Sequence, residues 1–266
     1  MTLRIFSRSP VCICLLVILG CGLLHSSRAQ RPRAEYRVLA VYSDKVEHDH
    51  VDFAHQAVRF FSTAARKDHF SFTVTTNWDD LNTANLTKYD LVLWLNDSPH
   101  TAPQRKAFEE YMEHGGGWLG FHVAAYTDGE TDWPWFTSFL GSAVFSSNSW
   151  PPLPALLTVD DASHPIARGI PQTFLSPSNE WYVWTPSPRL HAGVRVLLTL
   201  SPSNYPLGLK DTIVSGDVPV VWTNTAYRML YLNMGHGDRI FSNGVQNQLF
   251  ENAILWLAPT SFKPLR

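Results

Sequence analysis

The chain is expected to fold as an α/β domain around a doubly wound, mostly parallel sheet. Three observations predict this. Apolar runs without polar alternation recur at 37–43, 89–95 and 118–123, as suits strands covered on both faces. Helical periodicity fills the stretches between them. The joins are short, and strand–helix–strand alternation with short joins is the pattern of a parallel sheet.

Each element has its own signal. Residues 37–43, RVLAVYS, open the domain as a buried strand. A helix follows at 52–68, with Phe53, Ala57, Phe60, Phe61 and Ala64 on one side. Residues 70–76 alternate and read as a second strand, and 89–95 as a third. Thr101, with Pro103 just inside, opens a helix through Met112, which Gly115-Gly116-Gly117 end. WLGFHV at 118–123 is the next strand. Eleven of the 18 prolines then fall between 151 and 219, which excludes long helices there. Short strands fit at 155–159, 194–200, 218–223 and 228–233, before a closing helix at 245–257. This Pro-rich, Trp-rich stretch reads as an elaboration over one edge of the sheet.

The first 29 residues read as an export signal peptide. Arg4 and Arg8 precede the apolar run 11–24, and Ser27-Arg28-Ala29 supplies small residues for cleavage after Ala29. The run is shorter than the ~20 residues that span a bilayer, so no integral membrane span is expected after cleavage. The alternative is lipid attachment at Cys21. Either way the domain, 30–258 with a tail at 259–266, is expected outside the cytoplasm, periplasmic or secreted. The only cysteines are Cys12, Cys14 and Cys21, so cleavage leaves no disulfide, thiol nucleophile or cysteine-bound metal. It also removes three arginines and no acids, leaving 18 basic and 23 acidic residues, a formal charge of −5. That balance argues against nucleic acid as a partner.

Ligands of open parallel sheets bind outside the carboxyl ends of the strands. Four such ends here carry histidine: 43–50 with His48 and His50, 96–100 with Asn96, Asp97 and His100, His122, and 234–238 with His236 and Asp238. A lone histidine in such a place is usually a loop or capping residue; four on one rim point to a site. In Gly120-Phe121-His122-Val123-Ala124, small residues two before and two after allow a sharp elbow presenting His122. Imidazole there suits metal ligation or acid/base work near neutral pH, not acyl transfer. Glu180, beside Trp181 and Tyr182, supplies a carboxylate. Catalytic candidates are therefore His122, His236 and Glu180, and metal-ligand candidates His48, His122 and His236. Such a His/carboxylate set suits a divalent metal, zinc foremost. Asn96, Asp97, His164, Trp181, Tyr182 and Asp238 are the substrate-binding candidates. Trp133, Trp135, Trp150, Trp181 and Trp184 gather with Tyr182 in the loop-rich middle, either to stack on sugars or to fill the core.

As a set, EYMEHGGGWLGFHVAAY at 110–126, DDASHPIARGIPQTF at 160–174, NEWYVW at 179–184, PVVWTNTAYRMLYLNMGHGD at 219–238 and a closing helix ending ILWLA resemble the trehalose-utilisation (ThuA-like) family. The resemblance spans about 37–258. It implies a flavodoxin-like fold related to class I glutamine amidotransferases. It further implies a role in carbohydrate catabolism, on a sugar or keto-sugar derivative, with a divalent metal. By position, His48, His122, His164, Glu180 and His236 match the family's pattern. Asn179 stands where Asp is usual, and 145–150 lacks a histidine often found there. The expected partner is a small-molecule carbohydrate, bound by an enzyme or, alternatively, by a non-catalytic binding protein. A homo-oligomer stays open, and a cysteine-dependent amidotransferase is disfavoured because the mature chain has no thiolate.

Overall fold

The computed structural model describes residues 35–127, 132–201, 203 and 216–260. The signal peptide expected at 1–29 and most of the tail lie outside these residues. No helix among the described residues is long and apolar enough to cross a membrane.

The first half of the domain follows the predicted alternation. Strands β1 (Arg37–Val41), β2 (Ser71–Thr75), β3 (Leu91–Trp94) and β4 (Gly117–Phe121) pair in parallel in the order β2-β1-β3-β4. Helix α1 (His48–Asp68) joins β1 to β2. The short α2 (Thr83–Leu86) precedes β3, and α3 (Ala102–Glu113) joins β3 to β4. Thr101 and Gln104 cap α3 reciprocally, with Ala102-Pro103 inside the first turn. Helix α1 starts four residues earlier than expected, immediately after Glu47, and this alters the site.

Successive strand residues enter opposite cores. Val38, Ala40, Leu91 and Leu93 pack with Phe53, Ala57 and Phe61 of α1 and with the closing helix α5 (Gly244–Trp256). Leu39, Val41, Val92 and Trp94 face Phe108 and Met112 of α3 and Phe136 and Phe139 of α4 (Pro134–Phe139). Burial on both faces explains why these strands lack polar alternation.

The Pro-rich middle continues the same sheet. β6 (Leu153–Val159), β7 (Thr173–Asn179), β9 (Val194–Leu200) and β10 (Pro219–Asn224) are antiparallel, and β11 (Arg228–Leu232) joins them to β4 in parallel. The full order is β2-β1-β3-β4-β11-β10-β9-β6-β7. The prolines sit where a missing N–H is tolerated. Pro219 opens β10, Pro154 lies at a register shift in β6, and Pro177 is on the edge strand β7. A separate ribbon, β5 (Phe145–Asn148) with β8 (Tyr182–Trp184), was not anticipated in the sequence, nor was β7.

Candidate functional site

The polar residues converge at the carboxyl ends of β1, β4 and β11. His50 lies in the first turn of α1, buried on the side of Phe53, Ala54 and Ala57. His122 follows β4 directly, fully buried, with φ +47°. His236 sits in the turn after β11. The three rings form a triangle, with centroids 5.2 Å apart for His50–His122, 5.0 Å for His50–His236 and 5.7 Å for His122–His236. Glu180, between β7 and β8, brings Oε2 to 3.2 Å from His122 Nε2 and 3.9 Å from His236 Nε2.

The backbone shapes this elbow. A left-handed φ is costly for a non-glycine residue, and neighbouring groups hold it in place. The Tyr231 hydroxyl donates to the His122 carbonyl at 3.0 Å. A Cβ on Gly235 would lie 2.4 Å from His122 Cβ, so only glycine allows this approach. Gly120 accommodates the Trp118 indole, which a Cβ would strike at 2.0 Å.

Asn179 fixes the opposite wall. Its side-chain carbonyl accepts from the backbone N–H of Gly235 (3.0 Å) and His236 (3.1 Å). Its amide donates to the carbonyls of Glu180 (2.8 Å) and Asn233 (3.2 Å). An amide uses both kinds of group here, where a carboxylate would oppose oxygen to two carbonyls. Asn148, in the segment lacking a histidine, donates to Glu180 Oε1. The β5–β8 ribbon therefore orients the carboxylate.

The proton inventory is unusual. His122 Nδ1 lies 2.8 Å from the Asn233 carbonyl, which can only accept, so Nδ1 carries the proton and Nε2 a lone pair. That lone pair faces Glu180, and two acceptors at 3.2 Å need a proton or a cation between them. His50 Nε2 and His236 Nε2 are buried without a hydrogen-bond partner. Burial, reinforced by neighbouring imidazoles, lowers His50 and His122 to about 3. Burial raises the Glu180 carboxyl, against an opposing pull from His236 and His50. Two ligand sets have donor atoms within 4.8 Å of one another, Glu47–His50–His236 and His50–His122–Glu180, and these His/Glu groups could hold a metal. The orphaned nitrogens and mixed N/O donors fit one.

Other sequence candidates stand differently. His48 is exposed, with its Nε2 3.4 Å from Asp52, so the histidine of this loop that enters the cluster is His50. The cause is helical phase: His48 begins α1 on its solvent side, and two residues on the chain faces inward. Trp181 is fully buried with its indole N–H on the Leu153 carbonyl, which excludes it from stacking on a ligand. His164 packs on Trp256 with centroids 4.7 Å apart, and its Nδ1 accepts from the Ile166 N–H; it braces α5. Asn96 is buried and ties both backbone groups of Ser43 and the His50 carbonyl, so it positions α1 instead of meeting a ligand. Asp97 pairs with His100 in a crevice of about 440 Å³ beside Lys45 and Trp78. Tyr182 is buried and covers His122 at a 4.2 Å ring separation; Asp238 is exposed beyond His236. Another cavity, about 420 Å³, lies at the opposite strand ends between Asp90, Tyr111 and Arg228.

A doubly wound α/β domain with three buried histidines and a half-buried glutamate at its strand ends is the class that fold and site define. The chain belongs to the ThuA family, described as trehalose utilisation, whose model matches residues 37–257. It is similar to a ThuA-like protein from Bacteroides uniformis at 49% identity, over 86% of this chain and 94% of that one, with a TM-score of 0.81. A ThuA-like protein from Parabacteroides merdae shares 16% identity over 82% and 88%, with a TM-score of 0.58. The fold extends to the glutaminase domain of Trypanosoma brucei CTPS with bound acivicin, at 11% identity over 82% and 93% and a TM-score of 0.51. No curated protein matches. The family relation supports a carbohydrate-related role.

Proposed function

We propose that this protein acts on a sugar or keto-sugar derivative, with His50, His122 and His236 holding a divalent cation and Glu180, beside them, handling protons. The observation that carries this reading is the pair of buried, unpartnered Nε2 atoms on His50 and His236, in one cluster with Glu180 and the His122 lone pair. An unsatisfied buried polar atom costs about 1–3 kcal/mol, which a shared cation offsets. Three imidazoles with a carboxylate beside them suit zinc. When bound, the ion would polarise a carbonyl or acidify a water.

The chain's own groups supply the rest. His122 is neutral near pH 7 and, with Nδ1–H fixed on the Asn233 carbonyl, presents the Nε2 lone pair to the cation. Glu180, its carboxyl raised by burial, stands 3.2 Å from that nitrogen, placed to exchange a proton with a substrate or water at the cation. Tyr182 shields His122 from water. Cleavage after Ala29 would place this chemistry outside the cytoplasm.

Metal analysis of the purified protein, with His50→Ala, His236→Ala and His48→Ala beside it, tests the reading. About one equivalent of divalent ion is expected in wild type and His48→Ala, and loss in the other two. Wild type that takes up no divalent ion would refute the metal site.

A further inference from the structure

Ten tryptophans occur in the chain, and nine are buried or half-buried; Trp150 alone is exposed, at 67%. Its ring lies edge-on to His236, with centroids 6.3 Å apart. Among the described residues the only other large aromatic with comparable exposure is Tyr126, at 40%. Tyr126 stands on the His122 side, 6.3 Å from the Tyr182 ring that covers His122. Tyr126 is held there by the Phe145 ring, with centroids 4.6 Å apart, which leaves Trp150 as the more exposed aromatic at the cluster.

Trp150 is also anchored. The backbone N–H of the preceding Ser149 donates to the Trp181 carbonyl, and the Ser149 hydroxyl accepts from the Trp181 N–H, both at 2.9 Å. Ser149 is buried, so the indole projects from a fixed point. An exposed, anchored indole keeps apolar area in water unless a ligand covers it.

The polar groups beside it define what the ligand can be. Glu47 Oε1 and Asp49 Oδ2 each approach the His236 ring to 3.6 Å, and both side chains are about half exposed. With Glu180 they make three carboxylates around His236, so the site is rich in acceptors and stays net negative even with a divalent cation bound. Acceptors match hydroxyl donors, whereas carboxylates repel phosphates and acidic sugars. We infer that Trp150 is the platform for the C–H face of a neutral, unphosphorylated sugar ring, whose hydroxyls meet Glu47 and Asp49. This rests on the carbohydrate reading above and adds to it the aromatic ring that seats the sugar.

The test is titration of the full chain with methyl α-D-glucopyranoside and trehalose, each beside its 6-phosphate. Calorimetry reads affinity and indole emission reads Trp150. Wild type is expected to bind the neutral sugars with a change in emission, and the phosphates more weakly. Trp150→Ala should weaken neutral-sugar binding about tenfold, the scale of one lost aromatic contact. Trp150→Phe should keep most of the affinity and lose the spectral change, with metal content unchanged in both variants. Equal affinity in Trp150→Ala, or tighter binding of the phosphates, would overturn the inference. A wild type that holds its cation but binds no sugar would also overturn it while sparing the metal site. Trp150-dependent sugar binding without any cation would do the reverse.

Discussion

At His122 the backbone is left-handed, the carbonyl is held by Tyr231, and Gly235 packs against the Cβ, so the imidazole has one place to be. Gly235→Ala is therefore expected to cost about 1–3 kcal/mol, as overpacking does, and to weaken cation binding; thermal melts and metal titration report the two effects separately. The histidines also set a pH dependence. Unfolded, His50 and His122 take protons near 6.5, whereas folded they do so near 3. Between those values the unfolded chain binds more protons, so stability rises with pH. The metal-free protein should lose stability as pH falls from 6.5 toward 3, with a lower urea midpoint at acidic than at neutral pH. His50→Asn should shrink that difference. His122, Glu180 and His236 were legible in the sequence because each follows a recognisable strand or motif. His50 was not, since choosing between it and His48 depends on where α1 begins. Extending the stripe Phe53, Ala57, Phe61 back by one turn reaches His50, and that phase was the available signal.

The elements hold these residues through their ends. Asn179, the last residue of β7, bonds the N–H groups of Gly235 and His236 and thereby joins the antiparallel edge to the turn after β11. Asn179→Ala leaves both buried donors unpaired and is expected to cost about 1–3 kcal/mol, seen as a lower melting temperature, with Glu180 released from its alignment. The capping box of α3 gives a smaller, local effect: Thr101→Ala should cost about 1 kcal/mol and leave metal content unchanged. The strands with continuous apolar runs and the capped α3 were readable from the sequence. β7 and β8 were not. β7 reads TFLSPSN, with little apolar content because it is an edge strand, and β8 has only three residues held by cross-ribbon pairing. Their stability is tertiary in origin, which a local pattern does not carry.

Across the whole molecule, the tryptophans that stand out in the composition belong largely to one core. Trp78, Trp94, Trp118, Trp133, Trp184 and Trp222 pack on the α3–α4 side of the sheet, while the histidine cluster sits at the strand ends. Fold and site are therefore separable in mutation. Phe108→Ala in the Trp core should destabilise by about 3–5 kcal/mol, whereas His236→Ala should abolish cation binding at a smaller cost in melting temperature. On the metal reading, removing a bound cation should itself lower stability, by about 2.7 kcal/mol where free ion stood at a hundred times its dissociation constant, and a melt with and without chelator measures it. The order of the strands carries one more consequence. β11 is the last strand among the described residues yet lies in the middle of the sheet, between β4 and β10. On the ribosome, neither half can join the other until residue 232 has emerged. The sheet must close after synthesis is nearly complete, and a chain truncated before Arg228 would leave β4 as a bare, apolar edge prone to aggregation.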